Sequence, residues 1–413
     1  MADARDVVVT GVGLVLPTGV GLLAADPVFA GRTAVGYLNG AVGLAGAIGA
    51  PVPDFVPPPG TEGHDRAVQM AAAAAEEAWR GAGLDADRPA ADRVAVLVSL
   101  SKGGVFALWR WAGQGGALRP CGPAGLSGRE IARADPAAAG RLLAGRLGLT
   151  GPLVTPVTAC ASGGHALAWA AGLIRRGTVD AAVAGAAEAS LHPLVLGGYR
   201  RMGVLADAGA DPAAAVRPFS ATRRGFAVGE GAGVLVLESA AFARRRGVRG
   251  LARLTGWATG CHGAGLTDVD ESGEALGRVI REALGRARTP TEAVDYVHAH
   301  GTATRVGDPA EARAIRAALG RAADGVSVSS TKGAHGHLLG AAAAVETVLT
   351  VLAIDRSRVP PTVNLTDPDP SIGLDCTPLR PRTRRVQRAV KIATGFGGQM
   401  VALVLAAPGG EDA

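Results

Sequence analysis

Cys160 lies in the stretch Thr158-Ala159-Cys160-Ala161-Ser162-Gly163-Gly164-His165, between a β-rich run at residues 153–157 and an Ala-rich helical run. A cysteine at such a strand-to-helix elbow has its sulfur at a helix N-terminus, where the dipole and unpaired N–H groups favour the thiolate, the nucleophilic form. Two further Gly-rich loops supply imidazoles. His300 sits in Val297-His298-Ala299-His300-Gly301-Thr302-Ala303-Thr304, and His337 closes Ser329-Ser330-Thr331-Lys332-Gly333-Ala334-His335-Gly336-His337. Both loops follow strands, and α/β folds place their ligands at the C-terminal ends of strands. Either histidine alone fits a satisfied structural residue; an elbow cysteine with two such histidines fits a catalytic set better. His298 and His300 share one strand face and would also suit a metal, but no third ligand at metal spacing follows, so no metal site is expected. Cys121, Cys261 and Cys376 have no comparable setting, and with no CxxC pair the four cysteines suggest neither a zinc site nor a disulfide framework.

The elements that must position these residues alternate along the chain. A strand is expected at residues 6–10, ending in the turn Gly11-Val12-Gly13, and a strong helix at 65–81 with Asp65 near its positive end. Strands follow at 94–100, 181–184 and 234–238, with helices at 136–147 and 161–176. The second part repeats the plan: strands at 251–255, 294–299 and 326–329, helices at 273–287, 309–319 and 338–354, and a hairpin-like pair, 390–394 and 400–406, joined by Gly395-Phe396-Gly397-Gly398. Such alternation in both halves predicts an α/β protein with a mostly parallel sheet in each.

Composition removes other classes. Of 413 residues, 48% are apolar and 19% charged, enough to bury a core and unlike a disordered chain. The 61 glycines follow no three-residue period, which excludes collagen. The net charge of +6 comes from scattered arginines with no aromatic interleaving, so no nucleic-acid partner is expected. Neither Gly229-Glu230-Gly231-Ala232-Gly233 nor Gly11-Val12-Gly13 forms a dinucleotide fingerprint, and there is no Walker loop. No signal peptide precedes residues 7–9, and the longest apolar tract, 338–354, is interrupted by Glu346 and too short to span a bilayer. A cytoplasmic protein without membrane contact is the expectation.

Taken with their contexts, these residues resemble the β-ketoacyl-acyl-carrier-protein synthases of fatty-acid and type II polyketide synthesis. The resemblance runs through Asp65-Arg66, the TACAS segment at Cys160, RPF at 217–219, GFAVGEGAGVLVLE at 225–238, HGTATRVGDPAE at 300–311, STKGAHGHLLGAAAAVE at 330–346 and GFGG at 395–398. It implies the thiolase fold, two similar halves (1–250 with the nucleophile, 251–413 with the histidines) forming a five-layered αβαβα sandwich. It implies an acyltransferase catalysing decarboxylative Claisen condensation of a malonyl-type carrier thioester with an acyl chain held on Cys160. His300 and His337 would stabilise the enolate, as two N–H donors at any oxyanion do. By the same resemblance Lys332 pairs with Glu346, Asp308 and Glu311 support the His300 loop, and Thr302 and Thr304 bind the phosphopantetheine arm. Phe396 is the gate and, with Cys160, an oxyanion donor. No cofactor is implied beyond the carrier's phosphopantetheine. The partners implied are an acyl carrier protein and a dimer mate, either a second copy or a chain-length-factor-like subunit.

The chain also departs from that pattern. Ser99-Leu100-Ser101-Lys102-Gly103-Gly104 puts Lys102 where a hydrophobic residue usually bounds the acyl pocket, and a buried lysine there needs an anion or a route to water. His335 stands for a usual Thr and His298 for a usual Asn. Of 42 cationic residues only Lys102, Lys332 and Lys391 are lysines, and Lys391 is expected to face solvent. The reading that follows is a type II polyketide ketosynthase. The alternatives are a fatty-acid elongating synthase, a non-catalytic chain-length-factor-like partner and a thiolase-like enzyme acting on coenzyme A.

Overall fold

The structure, a computed structural model, describes residues 5–38, 44–104 and 128–409. Cys121 lies outside them. Among the described residues, nine strands form the main path of the central sheet: β1 (Val7–Leu16), β2 (Val94–Leu100), β3 (Ala181–Glu188), β4 (Gly231–Ser239), β5 (Ala252–Cys261), β6 (Tyr296–His298), β7 (Ser327–Ser329), β8 (Arg388–Gly395) and β9 (Gln399–Ala406). They lie side by side in the order β7-β6-β8-β9-β5-β1-β4-β3-β2. The path joins two half-sheets through a short antiparallel contact, Val7–Val9 of β1 against Ala252–Leu254 of β5.

Among the described residues, six helices of ten or more residues cover these half-sheets: α1 (Arg66–Gly81), α2 (Ala138–Leu147), α3 (Ser162–Arg175), α4 (Glu274–Arg286), α5 (Gly307–Leu319) and α6 (Ala342–Asp355). Helices α1 and α2 pack on the outer face of the first half-sheet, and α4 and α5 on the outer face of the second. Helices α3 and α6 lie between the halves and touch both. The layers therefore run α, β, α, β, α. The middle position explains why α6 is apolar all round, with every residue from Ala342 to Ile354 buried: a helix with neighbours on every side has no polar face to keep.

Close layering needs small residues. Helix α1 starts at Asp65, whose side chain accepts the Ala67 N–H at 3.1 Å, and its alanine face lies directly on β1. A Cβ on Gly11 would come 2.0 Å from the Ala78 carbonyl oxygen, and one on Gly13 1.8 Å from that of Ala74. Those glycines do not end the strand, as expected from sequence; they extend it to Leu16 beneath the helix.

The sheet is mixed, not mostly parallel. Strands joined by helical crossovers are parallel, β2 with β3 and β6 with both β7 and β8. The β8–β9 hairpin, and β1 against β4 and β5, are antiparallel. Alternating element types give the crossovers but are silent on strands that return edge to edge. The tract at 338–354 also divides: Leu339–Ala341 is a 3-10 turn, with Leu339 at φ 46°, and the helix begins only at Ala342.

Candidate active site

Cys160 sits in the 3-10 turn Ala159–Ala161, directly before α3, and is 7% exposed. The turn is held by Ser162, whose hydroxyl donates to the Ala159 carbonyl at 2.6 Å and accepts the Thr158 N–H at 2.9 Å. Ala159 takes φ 48°, a left-handed conformation that disfavours any residue with a Cβ. Ala303 (φ 61°) and Leu339 (φ 46°) do the same beside His300 and His337. Strain of this kind, of order 1 kcal/mol or more per residue, is tolerated where the surroundings fix a side chain's direction. Burial pushes the Cys160 thiol up to about 11, against the opposing pull of Lys102 and Lys332. Against the thiolate expected at a helix N-terminus, removal of the sulfur from water works the other way and outweighs the two lysine charges.

The His300 loop leaves β6 and is clamped from beneath by the first turns of α5. Glu311 accepts the His300 N–H at 2.5 Å and the Gly301 N–H at 2.7 Å. Asp308, fully buried, accepts the Phe219 N–H at 2.8 Å, and burial raises its pKa to about 7. The Thr302 and Thr304 hydroxyls lie 3.1 Å apart in the same loop.

The His337 loop is anchored by its backbone: His337 donates to the Ala227 carbonyl at 2.7 Å and accepts from Gly229 N–H at 3.0 Å. Its Nδ1 accepts the Leu339 N–H at 3.3 Å, which leaves Nε2 to carry the proton. The His300 and His337 rings meet at 5.3 Å between centroids and 80° between planes, and Phe226 packs edge-on to His337 at 4.9 Å. Burial, then the Lys332 charge, hold both imidazoles well below their ordinary pKa, so both are neutral N–H donors.

Lys332 joins the two loops. Its Nζ donates to the His300 carbonyl oxygen and to Glu346 Oε1, the latter at 2.5 Å, and neither side chain of that pair is exposed. Sequence reasoning missed the third member. Lys391 does not face solvent: it is 1% exposed and its Nζ lies 2.6 Å from Glu346 Oε2 and 3.3 Å from the Ala299 carbonyl oxygen. The available signal was a lone lysine between Val390 and Ile392 in a strand that is otherwise apolar at its centre. Burial pushes the Glu346 carboxyl up, and Lys332 and Lys391 together overcome it and hold the group well below its usual range. Burial depresses Lys391 from 10.5 to about 8. The unfolded chain keeps that proton up to the higher value, so the Lys391 contribution to stability is fullest above pH 10.5 and is lost as pH falls through 8. Melting curves of wild type and Lys391→Met should therefore shift relative to one another in favour of wild type as pH rises through that window. A constant gap would contradict the depressed lysine.

Cys160, His300, His337, Thr302, Thr304 and Phe396 line one cavity of about 760 Å³. Phe396 lies in the β8–β9 turn, 6.2 Å from Tyr199 between ring centroids. That turn runs against the Cys160 backbone, since a Cβ on Gly395 would lie 3.0 Å from Cys160 N. Asp308, Glu346, Lys332 and Lys102 stand outside the cavity wall. Lys102 has found an anion: its Nζ is 3.5 Å from Glu188 Oε2 and 2.9 Å from Ser101 Oγ. Glu188, also unforeseen, accepts the Gly340 N–H at 3.1 Å and hydroxyl protons from Ser101 and Ser190, which links Lys102 to the turn after His337. His298 does not share a site with His300; its ring is held by two threonine hydroxyls. Among the described residues no group of three or more His, Cys, Asp or Glu could hold a metal ion, and no helix is long and apolar enough to cross a membrane.

The chain matches the family model "Beta-ketoacyl synthase, N-terminal domain" over residues 54–243 and "Beta-ketoacyl synthase, C-terminal domain" over residues 251–366. It is 36% identical to a putative polyketide beta-ketoacyl synthase 1 of Streptomyces cyaneus, over 98% of this chain and 99% of that one. It is equally 36% identical to a 3-oxoacyl-[acyl-carrier-protein] synthase 2 of Synechocystis sp., over 97% and 98%. A solved type II polyketide ketosynthase, in complex with its acyl-carrier protein and bound to the hexaketide, superposes with a TM-score of 0.90 at 33% identity, over 98% of this chain and 99% of that one. The ishigamide ketosynthase/chain length factor gives 0.86 at 30%, over 98% and 99%. Family models matching both halves and relatives 36% identical over nearly the whole chain show that the chain belongs to the beta-ketoacyl synthase family.

Proposed function

We propose that this ketosynthase extends acyl chains in a type II polyketide pathway, and that Cys160, His300 and His337 do the chemistry. The observation that supports this most is their arrangement on one cavity, with two neutral imidazoles face to edge and a buried thiol beneath the Phe396 turn. Cys160 Sγ takes the acyl group from its carrier thioester and releases the carrier thiol. The malonyl-type thioester then loses CO₂, and its carbonyl oxygen, becoming an enolate, takes hydrogen bonds from His300 and His337. The enolate carbon attacks the Cys160 thioester, the bond to sulfur breaks, β-ketoacyl carrier leaves, and the released thiolate takes a proton from water to restore the thiol. During acyl transfer the N–H groups of Cys160 and Phe396 receive the carbonyl oxygen. Lys332, Glu346, Asp308 and Glu311 hold the histidine loops, Thr302 and Thr304 receive the phosphopantetheine arm, and Phe396 gates entry.

The acyl chains arrive on an acyl carrier protein, as in the complex solved for the similar ketosynthase, and a net charge of +6 favours an acidic partner. The second half begins at residue 251, supported by the separate family matches. The dimer mate is a second copy or a chain-length-factor-like subunit, which native mass spectrometry of the co-expressed gene products separates. Incubation with an acyl-carrier donor should add one acyl group at Cys160, and malonyl carrier should then discharge it as β-ketoacyl product. No adduct would overturn the reading in favour of a non-catalytic partner subunit.

In this proposal Lys102, from outside the wall of the Cys160 cavity, bounds the deeper end of the acyl pocket and, with Glu188, makes that boundary polar. Lys102→Ile should raise the rate with long saturated acyl chains at least about five-fold relative to short ones, since one or two methylenes in an apolar pocket already discriminate by that much. An unchanged chain-length profile would remove Lys102 from the pocket.

A further inference from the structure

Three successive carbonyl oxygens in the loop after His300 are held by one neighbouring segment. Gly225 N–H donates to the Ala303 carbonyl at 2.8 Å, Arg223 Nε to that of Thr304 at 3.1 Å, and Arg223 Nη2 to that of Arg305 at 3.0 Å. The third nitrogen of the same guanidinium is engaged too: Nη1 donates to the Ser220 carbonyl at 2.9 Å and to Asp369 Oδ2 at 2.6 Å. Arg223 is 8% exposed and lies outside the lining of the Cys160 cavity, so whatever it does for substrate it does through the loop.

The loop needs such a hold. Ala303 sits at φ 61°, a conformation that a residue with a Cβ keeps only where its surroundings fix it. Glu311 clamps the loop at His300 and Gly301, and α5 takes over at Gly307; Arg223 holds the stretch between. That stretch carries side chains that face substrate. Thr302 and Thr304 line the cavity with their hydroxyls 3.1 Å apart. A Cβ on Gly307 would come 2.4 Å from Thr304 Oγ1, which seats that hydroxyl against the start of α5.

Arginine suits this place and lysine does not. Nε and Nη2 present N–H groups at the fixed spacing of a planar fork, which meets two successive carbonyls while Nη1 keeps the carboxylate. A single ammonium nitrogen cannot hold all of these oxygens at once. The hydrogen bond from Arg223, with two from Ser371, holds the Asp369 carboxyl at about 2, so the pair is charged at neutral pH. We propose that Arg223, with Asp369 as its counterion, is a positioning residue for the carrier's phosphopantetheine arm: its fork fixes the Thr304 and Arg305 carbonyls, and thereby the directions of the Thr302 and Thr304 hydroxyls. This rests on the arm-binding role proposed for the two threonines.

Acyl transfer to Cys160 from acyl-pantetheine, which carries the arm without the carrier, tests the role. Arg223→Lys should raise KM for acyl-pantetheine about ten-fold with kcat within about two-fold of wild type, the worth of one or two hydrogen bonds lost from uniform binding. Alkylation of Cys160 by iodoacetamide, which has no arm, should keep its wild-type rate. Thr302→Val with Thr304→Val should raise the same KM, and Arg223→Lys should add nothing in that background. An unchanged KM in Arg223→Lys, a fall in kcat alone, a matching fall in alkylation or additive losses overturns the positioning role. Should Arg223→Lys fail to fold, Asp369→Asn decides: the guanidinium stays without its counterion and KM should rise about three-fold, and no rise overturns the role. Wild-type KM in the double threonine variant would instead unseat the arm-binding site, and a wild type that takes no acyl group the ketosynthase reading; the positioning role falls with either.

Discussion

Cys160→Ala removes the acyl adduct and lowers condensation by at least about a thousand-fold, because no other group on the cavity replaces a covalent sulfur nucleophile. The same variant should still release CO₂ from a malonyl thioester, since in the proposed mechanism the enolate is received by His300 and His337. His337→Ala should do the opposite: Cys160 is acylated normally, while decarboxylation falls about 10²–10³-fold, the usual cost of one oxyanion donor. Intact-mass measurement of the adduct and CO₂ release together check both. A Cys160→Ala variant that still condenses, or a His337→Ala variant that still decarboxylates at full rate, refutes the assigned roles. The raised thiol makes a further distinction. Alkylation of Cys160, followed by peptide mapping to separate it from exposed Cys261, should speed up about ten-fold per pH unit from neutrality toward its pKa of about 11. A plateau near neutral pH would mean that the thiolate is stabilised after all.

The largest stability loss should come from Glu346→Leu. One carboxylate, unexposed, faces two unexposed ammonium groups, Lys332 at 2.5 Å and Lys391 at 2.6 Å. Its removal leaves two buried like charges with no counterion, and losing one side of a buried pair typically costs about 3–5 kcal/mol. For a chain of this length that corresponds to a fall in Tm of about 5 °C. Lys391→Met should be far milder, because Glu346 keeps Lys332 and a buried charge is lost with it. Thermal unfolding of the two variants at neutral pH checks the order. Equal losses, or a larger loss for Lys391→Met, would show that the carboxylate is not the centre of the cluster. Glu346→Leu should also lose activity, because Lys332 without its partner no longer holds the His300 carbonyl in place.

How much was legible in sequence depends on range. The elbow at Cys160 reads from local chemistry: small residues, a following helical run and a serine two positions on that closes the turn. The post-strand loops of His300 and His337 read the same way, and so does the apolar tract that becomes α6. Strand lengths and directions read less well. Gly11 and Gly13 look like a turn when judged alone, and only the approach of α1 shows that a bare backbone was needed there.

The sequence by itself determined the candidate catalytic residue types, the alternation of elements and the family, because each is written in contiguous stretches whose meaning is local. Tertiary structure decided the charges. Whether a cysteine rests as thiol or thiolate depends on how far its sulfur is removed from water, and Cys160 is buried. Whether Lys391 meets solvent or Glu346 depends on a helix 45 residues earlier in the chain (391 − 346 = 45) packing against its strand. Which side chains the buried rings of His298 and His335 meet depends on folding, which brings Thr331 within 3.1 Å of both. Charge and proton position are set by distance through space, and residue order alone does not specify those distances.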